Sequence, residues 1–276
     1  MNNQELKSIA REVRKDIIRS LHAAKAGHPG GSLSAADYFT YLYFEEMNID
    51  PANPRDPDRD RFVLSKGHTV PGLYAVMAER GYFPKEELLT LRHLGSRLQG
   101  HPCMNYLPGI DMSTGSLGQG ISAACGMALA AKIQNKSYRV YTVLGDGELE
   151  EGQVWEAAMF ASAKKLDNLI AAVDNNNLQI DGPIDQVNSP YPIDEKFKAF
   201  GWHVIGPING HDFDEIRQAL TEAHTVTGKP TVIILKTTKG KGVSFMENQA
   251  GWHGKAPNDA EYEQAMAELE GTGDAQ

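Results

Sequence analysis

Two short polar segments follow two apolar runs in the middle of the chain. Gly-Asp-Gly at residues 145–147 comes after the run at 138–144, and Asn-Asn-Asn at 175–177 comes after the run at 169–173. Glycine allows a backbone to approach a ligand closely, and carboxylate and amide oxygens suit Mg²⁺, which commonly also binds substrate phosphates. The two segments together therefore suggest a metal ion that holds a phosphorylated ligand.

Each segment by itself fits an ordinary turn, because Gly, Asp and Asn are the residues that turns use. In an open parallel sheet, however, ligands bind beyond the carboxyl ends of the strands. One helical segment of about thirty residues or less separates the two runs, so we expect neighbouring strands whose ends hold one cation. Asp146, an Asn and a backbone carbonyl would leave room for two phosphate oxygens and a water, and the Gly147 amide would begin a helix facing the phosphates.

The elements that must position these residues alternate along the chain. Strands that alternate with helices predict an α/β fold, a doubly wound and mainly parallel sheet with helices on both faces. We expect one domain over residues 1–276, with a frayed tail at 271–276. A Gly-rich loop is expected at 27–31, between a first helix that contains residues 6–21 and a second at 34–44. The other predicted strands are 61–64, 203–205 and 231–236, and the other predicted helices are 70–80, 118–132, 153–165 and 213–224.

Composition excludes several classes of function. The 276 residues are 41% hydrophobic and carry a formal net charge of -9, which favours a globular protein and argues against nucleic acid or anionic lipid as partners. No apolar run approaches the ~18 residues of a membrane span, and no signal peptide is evident, so we expect a cytoplasmic protein. The two cysteines, Cys103 and Cys125, fit neither a disulfide framework nor a zinc motif.

Several longer segments resemble transketolase, in the same order and over nearly the whole chain. They are GHPGGSLSAAD, FVLSKGHTVPGLYA, QGHP, TGSLGQGIS, LGDGELEEGQVWEA, DNNNLQIDG, KTTKGKG and GWHG. The resemblance covers the diphosphate-binding domain of that family and implies a PP-type thiamine diphosphate-binding fold. Full-length transketolases continue into a pyrimidine-binding domain and a third, C-terminal domain. We therefore expect the N-terminal subunit of a split enzyme, in an α2β2 heterotetramer with a subunit that carries those two domains.

The resemblance also implies roles for particular residues. Mg²⁺ would be coordinated by the side chains of Asp146 and Asn176 and by the carbonyl of Leu178. His28 and His101 would face the reacting carbon and the donor-sugar hydroxyls, and His253 would join them as a third catalytic residue. Besides the metal ligands Asp146 and Asn176, thiamine diphosphate would be contacted by His68, Gly115, Ser116, Leu117, Gly147 and His253.

The nine histidines divide into two groups. Those at 22, 93, 203, 211 and 224 are expected to be ordinary surface or hydrogen-bonded groups. The four at 28, 68, 101 and 253 are each expected in a Gly-rich loop, where functional residues are commonly placed. Imidazole, with a pKa near ~6.5, can give or take protons at neutral pH. Four such histidines would also fit a zinc hydrolase, but no HExxH or CxxC motif accompanies them.

The expected reaction moves a two-carbon glycolaldehyde unit from a ketose phosphate to an aldose phosphate. In the family a glutamate on the pyrimidine-binding domain activates the coenzyme, so this chain alone should be inactive. Glu151 and Glu156 resemble residues at the interface between active sites, although an acidic first helical turn explains them equally well. Alternatives are an enzyme for an unusual sugar phosphate or sulfonate, half of a 1-deoxyxylulose-5-phosphate synthase, a noncatalytic diphosphate-binding scaffold, and a Mg²⁺-dependent phosphatase.

Overall fold

A parallel sheet forms the centre of the protein in the computed structural model, which describes residues 1–271. Its five strands have the order β1-β2-β3-β7-β6, and every neighbouring pair is parallel. All five predicted strands are confirmed. The strands are β1 Arg61–Leu64, β2 Val140–Gly145, β3 Leu169–Asn175, β6 His203–Asn209 and β7 Thr231–Lys236, and a separate hairpin consists of β4 Leu178–Gln179 and β5 Gly182–Pro183.

Helices cover both faces of this sheet. In β2, Tyr141 and Val143 belong to one hydrophobic core, whereas Val140 and Leu144 belong to the other. This alternation follows from the two-residue period of a strand and confirms the doubly wound arrangement. The helices are α1 Asn3–Ala24, α2 Pro29–Ser34, α3 Ala36–Tyr41, α4 Val70–Arg80, α5 Gln119–Ile133, α6 Gly152–Ala163, α7 Ile184–Val187, α8 Ile193–Ala199, α9 Phe213–Thr225 and α10 Asp259–Gly271. The first core is completed by residues of α1, α3, α4, α9 and α10, and the second by residues of α5, α6 and α8.

The segment after α1 differs from its prediction. The residues expected to form a loop at 27–31 already begin α2 at Pro29, a favoured first helical residue, and the expected helix at 34–44 is divided into α2, α3 and a π-turn at Leu42–Glu46. The glycines here serve close packing. A Cβ on Gly31 would lie 2.7 Å from Thr69 Cγ2, and one on Gly30 would lie 2.9 Å from Lys239 Cγ.

Further features complete the description of the chain. The sequence analysis did not anticipate α10, the β4–β5 hairpin, or the short helices α7 and α8. The expected frayed tail begins at Gly271, the last residue of α10, and its remainder lies outside the described residues. Cys103 and Cys125 are both free thiols. Across residues 1–271, no helix is sufficiently long and apolar to cross a membrane.

Candidate active site

The Gly-Asp-Gly and Asn-Asn-Asn segments meet at the carboxyl edge of the sheet. Strands β2 and β3 are adjacent and parallel, with Gly145 paired to Asp174, as the single connecting helix predicted. The buried carboxylate of Asp146 accepts hydrogen bonds from the backbone amides of Gly147 at 2.9 Å and Asn177 at 2.6 Å. Burial, and next the carboxylate of Asp174, raise the pKa of Asp146 to about 7. A cation bound here would stabilise the ionised carboxylate and so lower this pKa again.

The other two expected metal ligands follow directly along the chain. The side-chain oxygen of Asn176 accepts a hydrogen bond from the Leu178 amide at 3.2 Å. The carbonyl of Leu178 accepts one from the Lys239 ammonium group at 2.8 Å. The hydroxyl of Tyr191 lies within hydrogen-bond distance of the side-chain oxygens of Asn175 and Asn177, and its one proton can go to either.

These three groups fit the proposed ion by their chemistry. One carboxylate, one amide oxygen and one backbone carbonyl form a hard-oxygen donor set of the kind that Mg²⁺ shares with phosphate groups. The backbone at Gly147 packs closely against Gln179, because a Cβ at this position would lie 2.9 Å from Gln179 Oε1. Within residues 1–271, no group of three or more His, Cys, Asp or Glu side chains is arranged to hold a metal ion. The candidate metal site thus depends on mixed oxygen donors.

The four histidines from the Gly-rich segments form one cluster. The ring of His28 lies 5.2 Å from that of His68, 6.4 Å from that of His101 and 5.5 Å from that of His253, measured between centroids. The rings of His68 and His253 stack at 5.1 Å. Their backbones are more regular than predicted, because His28 precedes α2, His68 lies in a 3₁₀ turn and His253 follows one.

Burial keeps these imidazoles neutral. It is the main cause that lowers the pKa of His28 to about 4 and that of His253 to about 3, with nearby cationic groups acting in the same direction. The pKa values of His68 and His101 are lowered as well, again mainly by burial. The Nδ1 atom of His28 is buried and has no hydrogen-bond partner. Neutral rings can accept a hydrogen bond from a hydroxyl, whereas their lowered pKa values make His28 and His253 weak bases at neutral pH.

The loop before α5 brings backbone groups to the same region. Gly115 has φ +144°, and a Cβ there would lie 2.9 Å from His101 Cδ2, so this backbone packs directly against the ring. The Gly118 amide donates to the buried carboxylate of Glu148 at 2.9 Å, and the Ser65 hydroxyl donates to the same oxygen at 2.5 Å. Glu148 therefore ties the end of β1 to the loop before α5.

A cavity of about 140 Å³ lies at this edge of the sheet. His28, His101, Gly115 and Ser116 do not line it, although His28 is in ring contact with two residues that do. Sequence reasoning did not single out four charged residues in its wall, Lys66, Glu148, Asp174 and Lys239. The expected site residues that do line the cavity are His68, Leu117, Asp146, Gly147, Asn176, Leu178 and His253.

Comparison with known proteins identifies the family of this chain. The family model described as "Transketolase, thiamine diphosphate binding domain" matches residues 4–272. The chain is 48% identical to a 6-deoxy-6-sulfo-D-fructose transketolase subunit of Clostridium sp. (strain MSTE9), over 98% of each chain. It is 43% identical to an apulose-4-phosphate transketolase subunit of Phocaeicola vulgatus, over 93% of this chain and 90% of that protein.

Solved structures of transketolases also resemble this chain. The transketolase of Campylobacter jejuni superposes with a TM-score of 0.91 at 35% identity, covering 98% of this chain and 43% of that chain. The fold and site thus define a thiamine diphosphate-binding domain, and the chain belongs to the transketolase family. Within that family it matches the Clostridium subunit over nearly its whole length, whereas it spans less than half of the C. jejuni enzyme.

Proposed function

We propose that this chain is the diphosphate-binding subunit of a transketolase that requires thiamine diphosphate and Mg²⁺. The enzyme transfers a glycolaldehyde unit from a ketose phosphate to an aldose phosphate. The observation that carries this proposal is the convergence of Asp146, Asn176 and Leu178 on one cavity, with the histidine cluster beside it.

Different residues of this chain are proposed to bind the metal ion, the diphosphate and the sugar. Asp146, Asn176 and Leu178 would hold the metal ion, and the ammonium group of Lys239 offers donors to a diphosphate. The Gly147 amide would donate to the diphosphate once its present bond to Asp146 is released to the metal ion. Thiamine diphosphate supplies, when bound, the carbanion chemistry of its thiazolium ring. His28 and the other neutral histidines would orient sugar hydroxyls and exchange protons with them.

A partner chain is part of the proposal because the cavity of this chain is too small to enclose the whole coenzyme. The cavity of about 140 Å³ is well below the ~300 Å³ at which ligand pockets commonly begin. A second chain, carrying the pyrimidine-binding and C-terminal domains, would close over the rest of the coenzyme. We also propose a cytoplasmic location, because charged sugar phosphates do not partition into membranes.

The α5/α6 face supports an α2β2 assembly. We use that name for the outer side of α5 and α6, where Ile133 is 71% exposed, Met159 60% and Phe160 40%. Ala123 and Gly126 lie on the outer side of α5 and carry little bulk, so another helix could approach closely. Exposed apolar residues grouped in this way mark protein contacts, and a second copy of this chain is the proposed occupant.

A sulfonated or otherwise unusual sugar is the second candidate substrate. Its support is the 48% identity to the 6-deoxy-6-sulfo-D-fructose transketolase subunit, together with the 43% identity to the apulose-4-phosphate transketolase subunit. Sulfonate and phosphate are both anions that a local set of donors can bind, even on a chain with a net charge of -9.

The test is reconstitution with the C-terminal subunit, followed by an assay of donors with an aldose phosphate acceptor. The donors are fructose 6-phosphate, 6-deoxy-6-sulfo-D-fructose and apulose 4-phosphate. We expect two-carbon transfer that needs thiamine diphosphate, a divalent metal ion and both chains, and the preferred donor decides between the two candidates. A loaded complex that transfers nothing from any donor would favour a noncatalytic role, and turnover by this chain alone would refute the need for a partner.

A further inference from the structure

We propose that Asp174 is a positioning residue of the metal site, which fixes the side-chain amide of Asn176. The amide nitrogen of Asn176 donates to Asp174 Oδ2 at 3.1 Å, and its oxygen accepts from the Leu178 amide at 3.2 Å. The oxygen thus faces Leu178, another expected metal ligand, and the nitrogen faces Asp174. The inference rests on the proposed function, because it takes Asn176 as a metal ligand.

The orientation of this amide matters because its two ends have nearly the same shape and opposite chemistry. Only the oxygen can coordinate a cation, whereas the NH₂ group can only donate. An ionised carboxylate accepts hydrogen bonds and cannot donate them, so Asp174 accepts the NH₂ end of Asn176 and repels the oxygen end. A neutral amide at position 174 would accept either end and would leave Asn176 free to rotate.

Asp174 is itself held by donors from several parts of the fold. Lys66 at the end of β1 and Thr237 after β7 both donate to its carboxylate, and Ser34 of α2 donates at 2.5 Å. Asp174 is 0% exposed and Lys66 is 2% exposed, so the ion pair is shielded from water. Such a network leaves the carboxylate a single position and a single role, that of acceptor.

The same ion pair also reaches the histidine side of the site. Lys66 donates a second hydrogen bond, 3.1 Å long, to the carbonyl of Gly31 in α2, the helix that begins directly after His28. Lys66 stands two residues before His68, and the carbonyl of Asp174 accepts from the Asp146 amide at 3.3 Å. The pair therefore links both proposed side-chain metal ligands to the segments that carry His28 and His68.

A merely structural role would also make Asp174 important, so the test must separate folding from metal binding. Removing one member of a buried ion pair leaves an unpaired charge and is strongly destabilising, whereas replacing both members is often nearly neutral. The informative variant is therefore the double substitution Lys66→Met/Asp174→Asn. The control is Thr237→Val, which removes one donor to Asp174 but keeps the carboxylate and its bond to Asn176.

The readout is binding of Mn²⁺, as a probe for the divalent ion, to the complex of both subunits at saturating thiamine diphosphate. Free Mn²⁺ is measured by electron paramagnetic resonance, and the thermal unfolding of each variant is recorded without metal. We expect the double variant to unfold near the wild-type temperature and to bind Mn²⁺ roughly 10- to 100-fold more weakly, as is typical when a partner of a metal ligand is lost. The Thr237→Val control should bind Mn²⁺ close to the wild-type level.

Wild-type Mn²⁺ affinity in the folded double variant would overturn the positioning role. If the double variant does not fold, Asp174→Glu decides, because it keeps the charge that pairs with Lys66 but moves the carboxylate relative to the amide of Asn176. It should bind Mn²⁺ more weakly than the wild type, and wild-type affinity in the folded Asp174→Glu variant would also refute the role. Asp146→Ala distinguishes this inference from the proposed function, since unchanged Mn²⁺ affinity in that variant would refute the metal site itself.

Discussion

The ammonium group of Lys239 donates a 2.8 Å hydrogen bond to the carbonyl of Leu178, the backbone group proposed to bind the metal ion. The same nitrogen lies 2.9 Å from Nδ1 of His253. Burial lowers the pKa of Lys239 to about 8, while the carboxylates of Asp146 and Asp174 act in the opposite direction. Lys239 therefore directs a positive charge to the point where the proposed metal site meets the histidine cluster.

Replacing Lys239 by Met should weaken coenzyme binding. A hydrogen bond to a charged group contributes about 1.5–3 kcal/mol, so we expect an affinity for thiamine diphosphate about 10- to 150-fold lower. Calorimetric titration of the two-subunit complex at saturating Mg²⁺ measures this. Lys236→Met, at an exposed lysine on the end of β7, is the matched control. Equal affinity in wild type and Lys239→Met would show that this ammonium group does not contact the diphosphate.

Replacing Asp146 by Ala should remove metal-dependent coenzyme binding. The proposed ion would lose its one expected carboxylate ligand, and we expect at least about a hundredfold loss of thiamine diphosphate affinity in the presence of Mg²⁺. Stripping the wild-type complex with a chelator should have a similar effect, which added Mg²⁺ should reverse in the wild type alone. Asp194→Ala, at a partly exposed aspartate of α8, controls for the loss of one negative charge. The assignment of the metal ligand fails if Asp146→Ala binds the coenzyme normally.

Replacing His101 by Ala should slow turnover without loss of the coenzyme. His101 lies outside the cavity wall, and its ring is 6.4 Å from that of His28. General acid–base groups contribute about 10²- to 10⁴-fold to rates, so kcat should fall by that order. Steady-state assays with the preferred donor, together with a thiamine diphosphate titration, test both halves of the prediction. His93→Ala, on an exposed histidine nearby in sequence, should leave kcat unchanged, and a wild-type rate in His101→Ala would remove His101 from the catalytic residues.

The lowered pKa of His28 predicts a pH dependence of folding. An unfolded histidine titrates near ~6.5, whereas burial and nearby cationic groups lower the pKa of folded His28 to about 4. Between these values the unfolded chain binds the extra proton, so falling pH destabilises the folded state, and below about 4 this contribution stops changing. His28→Asn should therefore lose less stability than wild type from pH 6.5 to 4 in urea unfolding. Parallel pH profiles of the two proteins would contradict the pKa shift, and His93→Asn should follow the wild type.

Replacing Met159 by Asp should disrupt the proposed α2β2 assembly. The substitution would bury a carboxylate in the contact between two α5/α6 faces, without a partner and at considerable cost. We expect sedimentation to show complexes of one copy of each subunit where the wild type forms α2β2. Gln218→Asp, at an exposed position of α9, is the control. An intact tetramer in Met159→Asp would place the contact between copies elsewhere.

Much of the fold was predictable from the alternation of strands and helices along the sequence. Parallel strands joined by one helix commonly lie side by side, which is why the ends of β2 and β3 are expected to meet on sequence grounds alone. The predicted loop at 27–31 was wrong because the glycines in this segment serve contacts with residues distant in sequence. Gly30 and Gly31 suggested a loop, but they lie in α2, and glycine is needed there because a Cβ would lie within 3 Å of Lys239 or Thr69.

Some residues of the candidate site were also predictable from local sequence, whereas others depend on the fold. Histidines in Gly-rich segments were recognised from their immediate neighbours in sequence, whereas the distances that group four of them depend on the fold. Lys66, Asp174 and Lys239 were missed because a lysine or an aspartate that will be buried looks the same in sequence as one on the surface. Their segments lie far apart along the chain and converge only when the sheet forms.

The sequence by itself determined the alternation of strands and helices and the polar residues that end β2 and β3. These features depend on side-chain periodicity and on backbone preferences over a few residues. Only the tertiary structure decided that Asp174 is paired with Lys66, that Lys239 contacts Leu178, and which histidine rings touch. The physical reason is that burial of a charge, and with it its pKa and its partner, depends on which distant segments pack around it.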